Sequence, residues 1–294
     1  MPTTVELVSP TDSITFYPTP DVNGWVYNNS TLDAWYVLPS VDVKLHKRPN
    51  AHGSFALGQI FAGEALPAIN GQRFGSSPAA ALADRERLSA FFEEGNPVVM
   101  RVNDENGMTS RIVNVVAFSA PFHYGFDHFD FDMALVATDP RRYGPASSDS
   151  EGMPSAGSGL VWNLGTSGSG LYFDWGTAGV LGQVEYTNTG KATTYPRIEV
   201  GGLGAFDAGF RVTEIETGRE LTFARATVFG DVIVFDNRTQ RATIANGGGD
   251  VTGFLSSRKW FEVPKGATRR YQITPLGSVS GSPTITLYAA PAYL

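Results

Sequence analysis

The chain has 294 residues, of which 17% are charged, with 33 glycines, 18 prolines and a formal net charge of −7. It contains no cysteine, so disulfides, thiolate zinc sites and cysteine nucleophiles are excluded. Because Lys and Arg form no run, a basic surface for nucleic acid is not expected. The acidic balance is typical of a soluble protein, although it also suits a conduit to which DNA must not adhere.

Frequent Gly and Pro favour short strands joined by many turns over long surface helices. The first residues, MPTTVELVSPTDS, lack a basic region followed by an apolar run, so we expect no signal peptide. No apolar stretch reaches the roughly 18 to 20 residues that a membrane-spanning helix needs. The sequence therefore predicts a protein synthesised in the cytoplasm and folded in water.

Residues 1 to about 75 predict short strands and loops. TVELV and SITFY enclose a turn at Ser9–Asp12, which predicts a β-hairpin. Farther on, LDAWYVLPSVDVKLHK contains Val41, Val43 and Leu45 alternating with polar residues. That period of two predicts a half-buried strand.

One helix is predicted, from about Pro78 to Glu94. Ser77 suits the N-cap, and proline is well tolerated at the first helical position because its missing donor is not needed there. Gly95 suits the left-handed residue that closes a helix. The predicted apolar stripe, which would pack on a sheet, consists of Leu82, Leu88, Phe91 and Phe92.

Two further strand features precede residue 140. VVMRV and RIVNVVAF flank an Asn106-Gly107 pair, which predicts a second hairpin because this pair adopts positive φ at little cost. HFDFDMALVATDP predicts another strand, which ends before Pro140 removes a backbone donor.

Composition changes sharply after residue 140, where Ser, Gly and Pro dominate DPRRYGPASSDSEGMPSAGSG. We interpret residues 141–158 as a linker between an N-terminal β-sandwich-like domain at 1–140, with one helix and a hairpin, and a C-terminal domain at 159–294. About eleven strand candidates and no helix follow, and VIVFD is apolar on both faces, as a central strand would be. Many short strands with Gly-rich turns favour a β-sandwich or jelly roll.

Two patterns suggest sites but have simpler explanations. The segment His123–Asp132 is dense in His and Asp, which are metal ligands. Strand alternation, however, would bury Phe129 and Phe131 and leave the polar residues in solvent. The Gly-rich stretches at 165–170 and 246–250 lack the Lys-Ser/Thr and the helix of a phosphate loop, so we interpret them as turns. No metal or cofactor is expected.

Enzymatic activity is not expected either. Hydrolysis of a glycoside requires two carboxylates across a cleft, and nothing singles out a pair among the available acids. These acids are Asp207, Glu214, Glu216 and Glu220. The four histidines lie in no context typical of a catalytic triad.

Aromatic residues of the C-terminal half could stack on sugar rings if the domain were lectin-like. These residues are Trp162, Tyr172, Trp175 and Tyr186. A place in the core or in an interface is the simpler interpretation for most of them. Trp175 follows Asp174 in a Gly-flanked turn, so it is our candidate for an exposed contact with a glycan or a partner.

Residues 181–263 resemble the C-terminal region of the distal tail (minor tail) proteins of long-tailed siphovirus bacteriophages, especially phages of actinobacteria. The segments that carry the resemblance are VEYTNTGKATTYPRIEVGG, FRVTEIETGREL, GDVIVFD, the Asn246-Gly247 turn and RKWFEVPKG. The N-terminal half resembles the same family more loosely, in Arg48…His52-Gly53, the helix, the hairpin and Leu135…Asp139-Pro140-Arg141…Tyr143.

The resemblance implies a structural role in the virion, at the distal end of the tail. N-terminal hub domains of such proteins form a ring, usually of six copies, that joins the tail tube to a hub or fibre protein and lets DNA pass. The tape measure protein and other minor tail proteins are further implied partners, and the C-terminal domain is implied to be a galectin-like sandwich. The alternative function is a carbohydrate-binding adhesion module that recognises host glycans. The chain lacks the long insertion of larger family members, which argues against direct sugar binding.

Overall fold

A computed structural model describes residues 2–20, 23–41, 52, 62–91, 96–121, 125–155, 161–163, 172–174, 179–245 and 247–294. The chain divides into two compact units, one of residues 1–145 with 293–294 and one of residues 146–292. Strands dominate both units, so the predicted mainly β fold class is confirmed. Within the described ranges, no helix is long and apolar enough to cross a membrane.

The described part of the first unit contains strands and two helices in the following order. They are β1 (Thr4–Val8), β2 (Ser13–Phe16), β3 (Trp25–Tyr27), α1 (Asn29–Tyr36), β4 (Ala68–Phe74), α2 (Pro78–Ala90), β5 (Val98–Asp104), β6 (Gly107–Ser119), β7 (His128–Val136) and β8 (Arg142–Tyr143).

The second unit is built almost entirely from strands. They are β9 (Ser147–Gly152), β10 (Val161–Asn163), β11 (Tyr172–Asp174), β12 (Gln183–Thr187), β13 (Arg197–Phe206), β14 (Phe210–Glu214), β15 (Glu220–Phe223), β16 (Val232–Asp236), β17 (Arg241–Ile244), β18 (Leu255–Arg258), β19 (Thr268–Pro275) and β20 (Val279–Ala289). A last short strand, β21 (Ala292–Tyr293), ends the chain.

The main sheet of the first unit closes almost completely on itself. Its strand order is β2-β1-β5-β6-β7-β4-β3, and the two outer strands of this path meet at a bridge between Tyr17 and Val26. The Tyr17 amide donates to the Trp25 carbonyl at 2.9 Å, and the Tyr27 amide donates to the Tyr17 carbonyl at 3.0 Å. Closure of this kind satisfies the edge groups that would otherwise remain unpaired.

Aromatic side chains fill the interior of that sheet. Phe16 and Trp25 meet edge to face with ring centres 5.6 Å apart, and Phe131 lies 5.4 Å from Phe16. Phe129, on β7, contacts Trp25 with ring centres 6.0 Å apart. The alternation predicted for HFDFDMALV therefore places its phenylalanines in the core, as expected.

Both predicted hairpins are present. β1 pairs with β2 around a turn in which the Ser9 amide donates to the Asp12 carbonyl at 2.9 Å. β5 pairs with β6 and the register places Asp104 opposite Gly107, whose φ is 103°. Glycine adopts this left-handed conformation without the steric cost that a side chain would add.

Helix α2 begins as predicted, and its buried apolar stripe differs from the predicted one at one residue. The Ser77 hydroxyl accepts a hydrogen bond from the Ala80 amide at 3.2 Å, which caps the helix. Leu88 is buried, but Leu82 is 39% exposed and Ala81 takes the predicted inward position. Ala81 is seven residues before Leu88, which is nearly two helical turns, so the two side chains lie on the same face. Leu82 is six residues before Leu88, which is about 1.7 turns, so it does not lie on that face. Phe92 and Gly95 lie outside the described residues.

Helix α1 was not predicted, since this part of the chain was expected to form strands and loops. Its N-cap, Asn28, makes no side-chain capping bond, and no acidic residue supports its first turn. Tertiary packing stabilises this helix instead, because Trp35 is fully buried in the core of the first unit. Most of the strand predicted around Val43 and Leu45 lies outside the described residues, while Val41 forms an isolated bridge with Ala62.

The second unit is a sandwich of two five-stranded antiparallel sheets. One sheet has the order β12-β19-β14-β15-β18, and the other has the order β17-β16-β13-β20-β9. A single core lies between them, lined by buried residues from both sheets. The predicted strand VIVFD is β16, which has a neighbour on each side and buries Ile233, Val234 and Phe235.

The prediction of a linker at 141–158 is wrong for most of its described part. Ser147–Gly152 forms strand β9, which pairs with β20 over six residue pairs from Ala289 opposite Ser147 to Thr284 opposite Gly152. Arg142–Tyr143 forms strand β8 and pairs with β6. Ser, Asp and Gly are poor strand formers, so pairing with an already formed neighbour outweighs the local preference here.

Candidate functional site

Strand β7 holds the densest group of metal-ligand residue types that the sequence suggested. It directs Asp130 and Asp132 to solvent, and the Gln72 amide donates to Asp130 at 2.8 Å. His128 stacks on Phe74 with ring centres 5.9 Å apart. Among the described residues, no three His, Asp or Glu side chains lie close enough together to hold a metal ion. His123 lies outside the described part.

Glu214 is the most buried of the four carboxylates that the sequence offered for hydrolysis. It is 1% exposed and lies at the end of β14, with its Oε1 atom 3.2 Å from Nε of Arg269. The Thr217 hydroxyl donates to its other oxygen. Burial is the main cause that raises the pKa of the neighbouring Tyr271, and the negative charge of Glu214 adds to it. Glu214 therefore belongs to a polar cluster within the sandwich, remote from solvent.

Glu216 and Asp207 are also engaged in contacts that fix turns. Glu216 accepts from Nε of Arg270 at 2.8 Å and from the amide of the same residue at 2.9 Å. Burial opposes ionisation of Glu216, but these bonds from Arg270 outweigh it and lower the pKa of the carboxyl. Asp207 accepts from the Ser278 hydroxyl at 2.7 Å.

Glu220, the fourth carboxylate, pairs across two strands with Arg211 at 3.3 Å on the outer face of its sheet. The four acids thus have four different partners, which are Arg269, Arg270, Ser278 and Arg211. This arrangement supports the turns and edges of the sandwich.

The aromatic candidates of the C-terminal half lie only partly among the described residues. Tyr186 lies on β12 and is 8% exposed, so it belongs to the second core. Trp162 and Tyr172 lie on strands β10 and β11, which pair with each other. Trp175 lies outside the described residues, and its role as an exposed contact stays a prediction.

A groove of about 840 Å³ lies on the outer face of the sheet that contains β13, β16 and β17. Its charged side chains come from neighbouring strands, because Arg197 lies opposite Asp236 and Asp236 lies opposite Arg241. A Gly-rich turn, Gly247–Asp250, forms one wall. The turn prediction for this stretch is confirmed in its described part, where Gly247 and Gly249 have φ of 83° and 85°. Sequence reasoning missed the groove, since its residues come from three strands.

An apolar tip, which we define as Leu203, Val228 and Phe229, occurs at one end of the same sheet. These side chains are 68%, 67% and 67% exposed. The Gly202 amide donates to the Asp231 carbonyl at 3.0 Å, which holds the two segments together. Exposed apolar side chains grouped in this way are typical of surfaces that contact other molecules.

No protein-family model and no curated protein sequence matches the chain. Solved structures do. The Dit protein of phage SPP1, described as a paradigm of the hub adsorption apparatus in phages that infect Gram-positive bacteria, superposes with a TM-score of 0.55 at 12% identity, over 88% of this chain and 90% of its own. The chain has the Dit fold.

Two structures of the phage P2 baseplate contain chains with a similar fold. A chain of the phage P2 baseplate in its activated conformation with Ca matches with a TM-score of 0.58 at 11% identity, over 97% of this chain and 98% of its own. A chain of the baseplate with Sr matches with a TM-score of 0.55 at 10% identity, over 97% of both chains. The resemblance to distal tail proteins is thereby confirmed at the level of the fold.

Proposed function

We propose that this chain is a structural protein of a phage tail tip, where copies of it form a ring, of six by the family resemblance. The observation that carries the proposal is the extent of the Dit fold, which spans 88–97% of this chain and includes both units. Proteins with this fold in solved structures are parts of a hub or baseplate. Fold likeness alone is weak evidence of function, so sequence motifs in the same order along the chain add independent support.

In this role the ring would connect the tail tube protein to a hub or fibre protein and let DNA pass through its centre. The tape measure protein and other minor tail proteins are further proposed neighbours, and the virion is the proposed location. The formal net charge of −7 fits a passage for DNA, since a basic lining would retain the phosphate backbone. We assign the chain no catalytic activity, because its candidate carboxylates serve ion pairs and turns.

The first unit exposes apolar side chains that suit contacts between copies. Val116 is 62% exposed because β6 carries one extra residue between Val115 and Ala117, and this bulge turns the side chain out of the ladder. Leu38 and Leu66 are 68% and 66% exposed. A ring requires two different surfaces on each copy that complement one another, and exposed apolar residues are suited to such contacts.

Negative-stain electron microscopy with native mass spectrometry of the purified full chain tests the proposal. We expect rings of uniform diameter and a mass that corresponds to six copies. Val116→Asp is expected to shift the population toward single copies, because a charge would be buried in the contact. Leu276→Asp is the matched control, since Leu276 is a 40% exposed leucine of the second unit.

Two results would count against the proposal. A chain that stays a single copy at high concentration, and also in the presence of the tail tube protein of the same phage, has no ring-forming surface. Equal dissociation by Val116→Asp and Leu276→Asp would instead show that the ring contact is not specific to the first unit.

A further inference from the structure

The apolar tip of the second unit projects from two backbone segments that lie side by side. Leu203 belongs to β13, while Val228 and Phe229 belong to the connection between β15 and β16. All three side chains are largely exposed. The cross-strand neighbour of Leu203 is Ser282 on β20, whose short side chain leaves the leucine uncovered. The apolar groups therefore stand above a surface of small residues.

Backbone groups of the tip are bonded to one another, so few of them depend on water. The Val228 amide donates to the side chain of Asp231 at 3.0 Å, and the Asp231 amide donates back to the Val228 carbonyl at 3.1 Å. The Gly230 amide donates to the Gly202 carbonyl at 3.0 Å. Three of the four amides in the turn Val228–Asp231 are thus satisfied within the tip. This lowers the cost of moving the turn into a layer with little water, where an unpaired amide is expensive.

The segments around the tip carry no charged side chain. Residues 201–206, 226–230 and 276–286 contain no Asp, Glu, Lys or Arg. Among the charged residues that flank them, Asp231 already accepts a hydrogen bond from the turn, and the guanidinium of Arg225 lies over a phenylalanine ring. The exposed part of the tip therefore presents neither a cation for a phosphate group nor an anion for a basic partner.

A second copy of the chain, or another protein, is a poor occupant of the tip. Three largely exposed side chains present on the order of 300 Å² of apolar area, whereas each partner of a stable protein complex contributes roughly 800 Å². Protein interfaces also have a polar rim with directional hydrogen bonds, for which the uncharged segments offer few groups. A lipid layer has neither requirement, because apolar side chains enter it with a gain that grows with the area removed from water.

We propose that the apolar tip inserts into the surface of a lipid membrane. Leu203, Val228 and Phe229 enter the boundary between headgroups and acyl chains, which an apolar face penetrates by roughly 5 to 10 Å. The exposed hydroxyls of Ser280 and Ser282, beside the tip on β20, are placed to bond to lipid headgroups. Because the tip presents no cation, binding does not require anionic lipid. The inference goes beyond ring formation and does not depend on it.

Flotation of the full chain with lipid vesicles in a density gradient tests the proposal. The vesicles are of phosphatidylcholine alone, or of three parts phosphatidylcholine with one part phosphatidylglycerol. We expect the chain to float with both, to a similar extent at low and high salt. Phe229→Ser is expected to weaken the partition onto vesicles at least about tenfold, because the ring no longer leaves water. Leu203→Ser, on the other segment of the tip, is expected to weaken it severalfold.

Ile215→Ser is the matched control, because Ile215 is a 38% exposed apolar residue at the other end of the sandwich. The Thr227 amide, next to the tip, donates to the Phe206 carbonyl before β14 begins, whereas Ile215 follows the last residue of β14. The control is expected to partition within about twofold of the unchanged chain, since a single exposed apolar side chain is no membrane site. All of the substituted side chains are exposed, so thermal unfolding should change little.

Three results would overturn the proposal. Folded chain might not float with either kind of vesicle, or might float only with phosphatidylglycerol and only at low salt, which would assign binding to charge elsewhere on the surface. Equal losses in Phe229→Ser and Ile215→Ser would show that the tip is not the contact. Loss of self-association in Phe229→Ser, without binding of the unchanged chain to vesicles, would show that a second copy covers the tip. The mass of the ring, measured on the same samples, separates these results from the proposed function.

Discussion

The guanidinium of Arg111 lies over the ring of Trp35, with its central carbon 4.8 Å from the ring centre. Arg111 is 2% exposed and donates to the carbonyls of Trp35 and Pro140, each at 2.9 Å. Burial lowers the pKa of Arg111 to about 10, and the positive charge of Arg142 contributes to the same effect. One side chain thus links β6, helix α1 and the segment by which the chain leaves β7.

Arg111→Ala is therefore expected to destabilise the first unit by about 3 kcal/mol, because two buried carbonyls lose their donor and the Trp35 ring loses its packing partner. Differential scanning calorimetry of the full chain measures the loss. Arg101→Ala is the control, since Arg101 forms a half-exposed pair with Glu6 at 3.3 Å. A smaller loss for Arg111→Ala than for Arg101→Ala would contradict the structural role assigned to Arg111.

The ion pair between Glu214 and Arg269 in the second unit leads to a comparable test. Glu214→Gln is expected to cost about 3 kcal/mol, because Arg269 would lose its buried counter-charge. Glu220→Gln removes the partner of Arg211 on an outer sheet face and is expected to cost less than about 1 kcal/mol. Urea unfolding of both variants gives the comparison. Similar losses would mean that burial of Glu214 has no energetic consequence.

A close backbone approach provides a third prediction. A Cβ atom on Gly71 would lie 1.8 Å from the Val26 carbonyl oxygen, so Gly71→Ala must separate β3 from β4. We expect a loss of more than about 3 kcal/mol, or an insoluble product. Gly152→Ala is the control, because a Cβ there has open space within 4 Å. Equal thermal stability of the two variants would contradict the described pairing of β3 with β4.

Acid stability offers a fourth prediction. Hydrogen bonds from Arg87, at 2.6 and 2.5 Å, lower the pKa of Asp12 although burial opposes them. A carboxyl with a lower pKa in the folded state stabilises the fold above its ordinary pKa, and this contribution is lost as the pH falls through the folded value. The pair is partly exposed, so we expect less than about 1 kcal/mol.

Asp12→Asn should remove that contribution. The melting temperature of this variant should therefore depend less on pH between about pH 2 and pH 5. The decisive comparison is the difference in melting temperature between the unchanged chain and Asp12→Asn. It should be largest above about pH 4 and shrink as the pH falls. A difference that is constant with pH would show that Asp12 acts through something other than its charge.

Features set by neighbouring residues could be predicted from the sequence. The Ser9–Asp12 turn, the Gly107 turn and the alternation of Phe129 and Phe131 each follow from a local pattern, and the structure confirms them. Ser77 likewise identified the start of α2. The prediction that Leu82 faces inward was wrong, because its spacing of six residues from Leu88 does not make a whole number of helical turns. A spacing of seven residues, which selects Ala81, is close to two turns and would have given the correct residue.

Features set by distant residues could not be predicted. Helix α1 has weak local signals and depends on burial of Trp35 beneath Arg111, which lies 76 residues away. Strand β9 consists of residues with low strand preference and forms because β20 offers it a partner. The groove requires Arg197, Asp236 and Arg241 in one register, and strand order is not contained in any short sequence window.

Native mass spectrometry of the purified full chain, with electron microscopy of the same sample, tests the central claim most directly. The account predicts closed rings with the mass of six copies, which Val116→Asp dissociates and Leu276→Asp leaves intact. A chain that remains a single copy at every concentration, alone and with its tail tube protein, would contradict it.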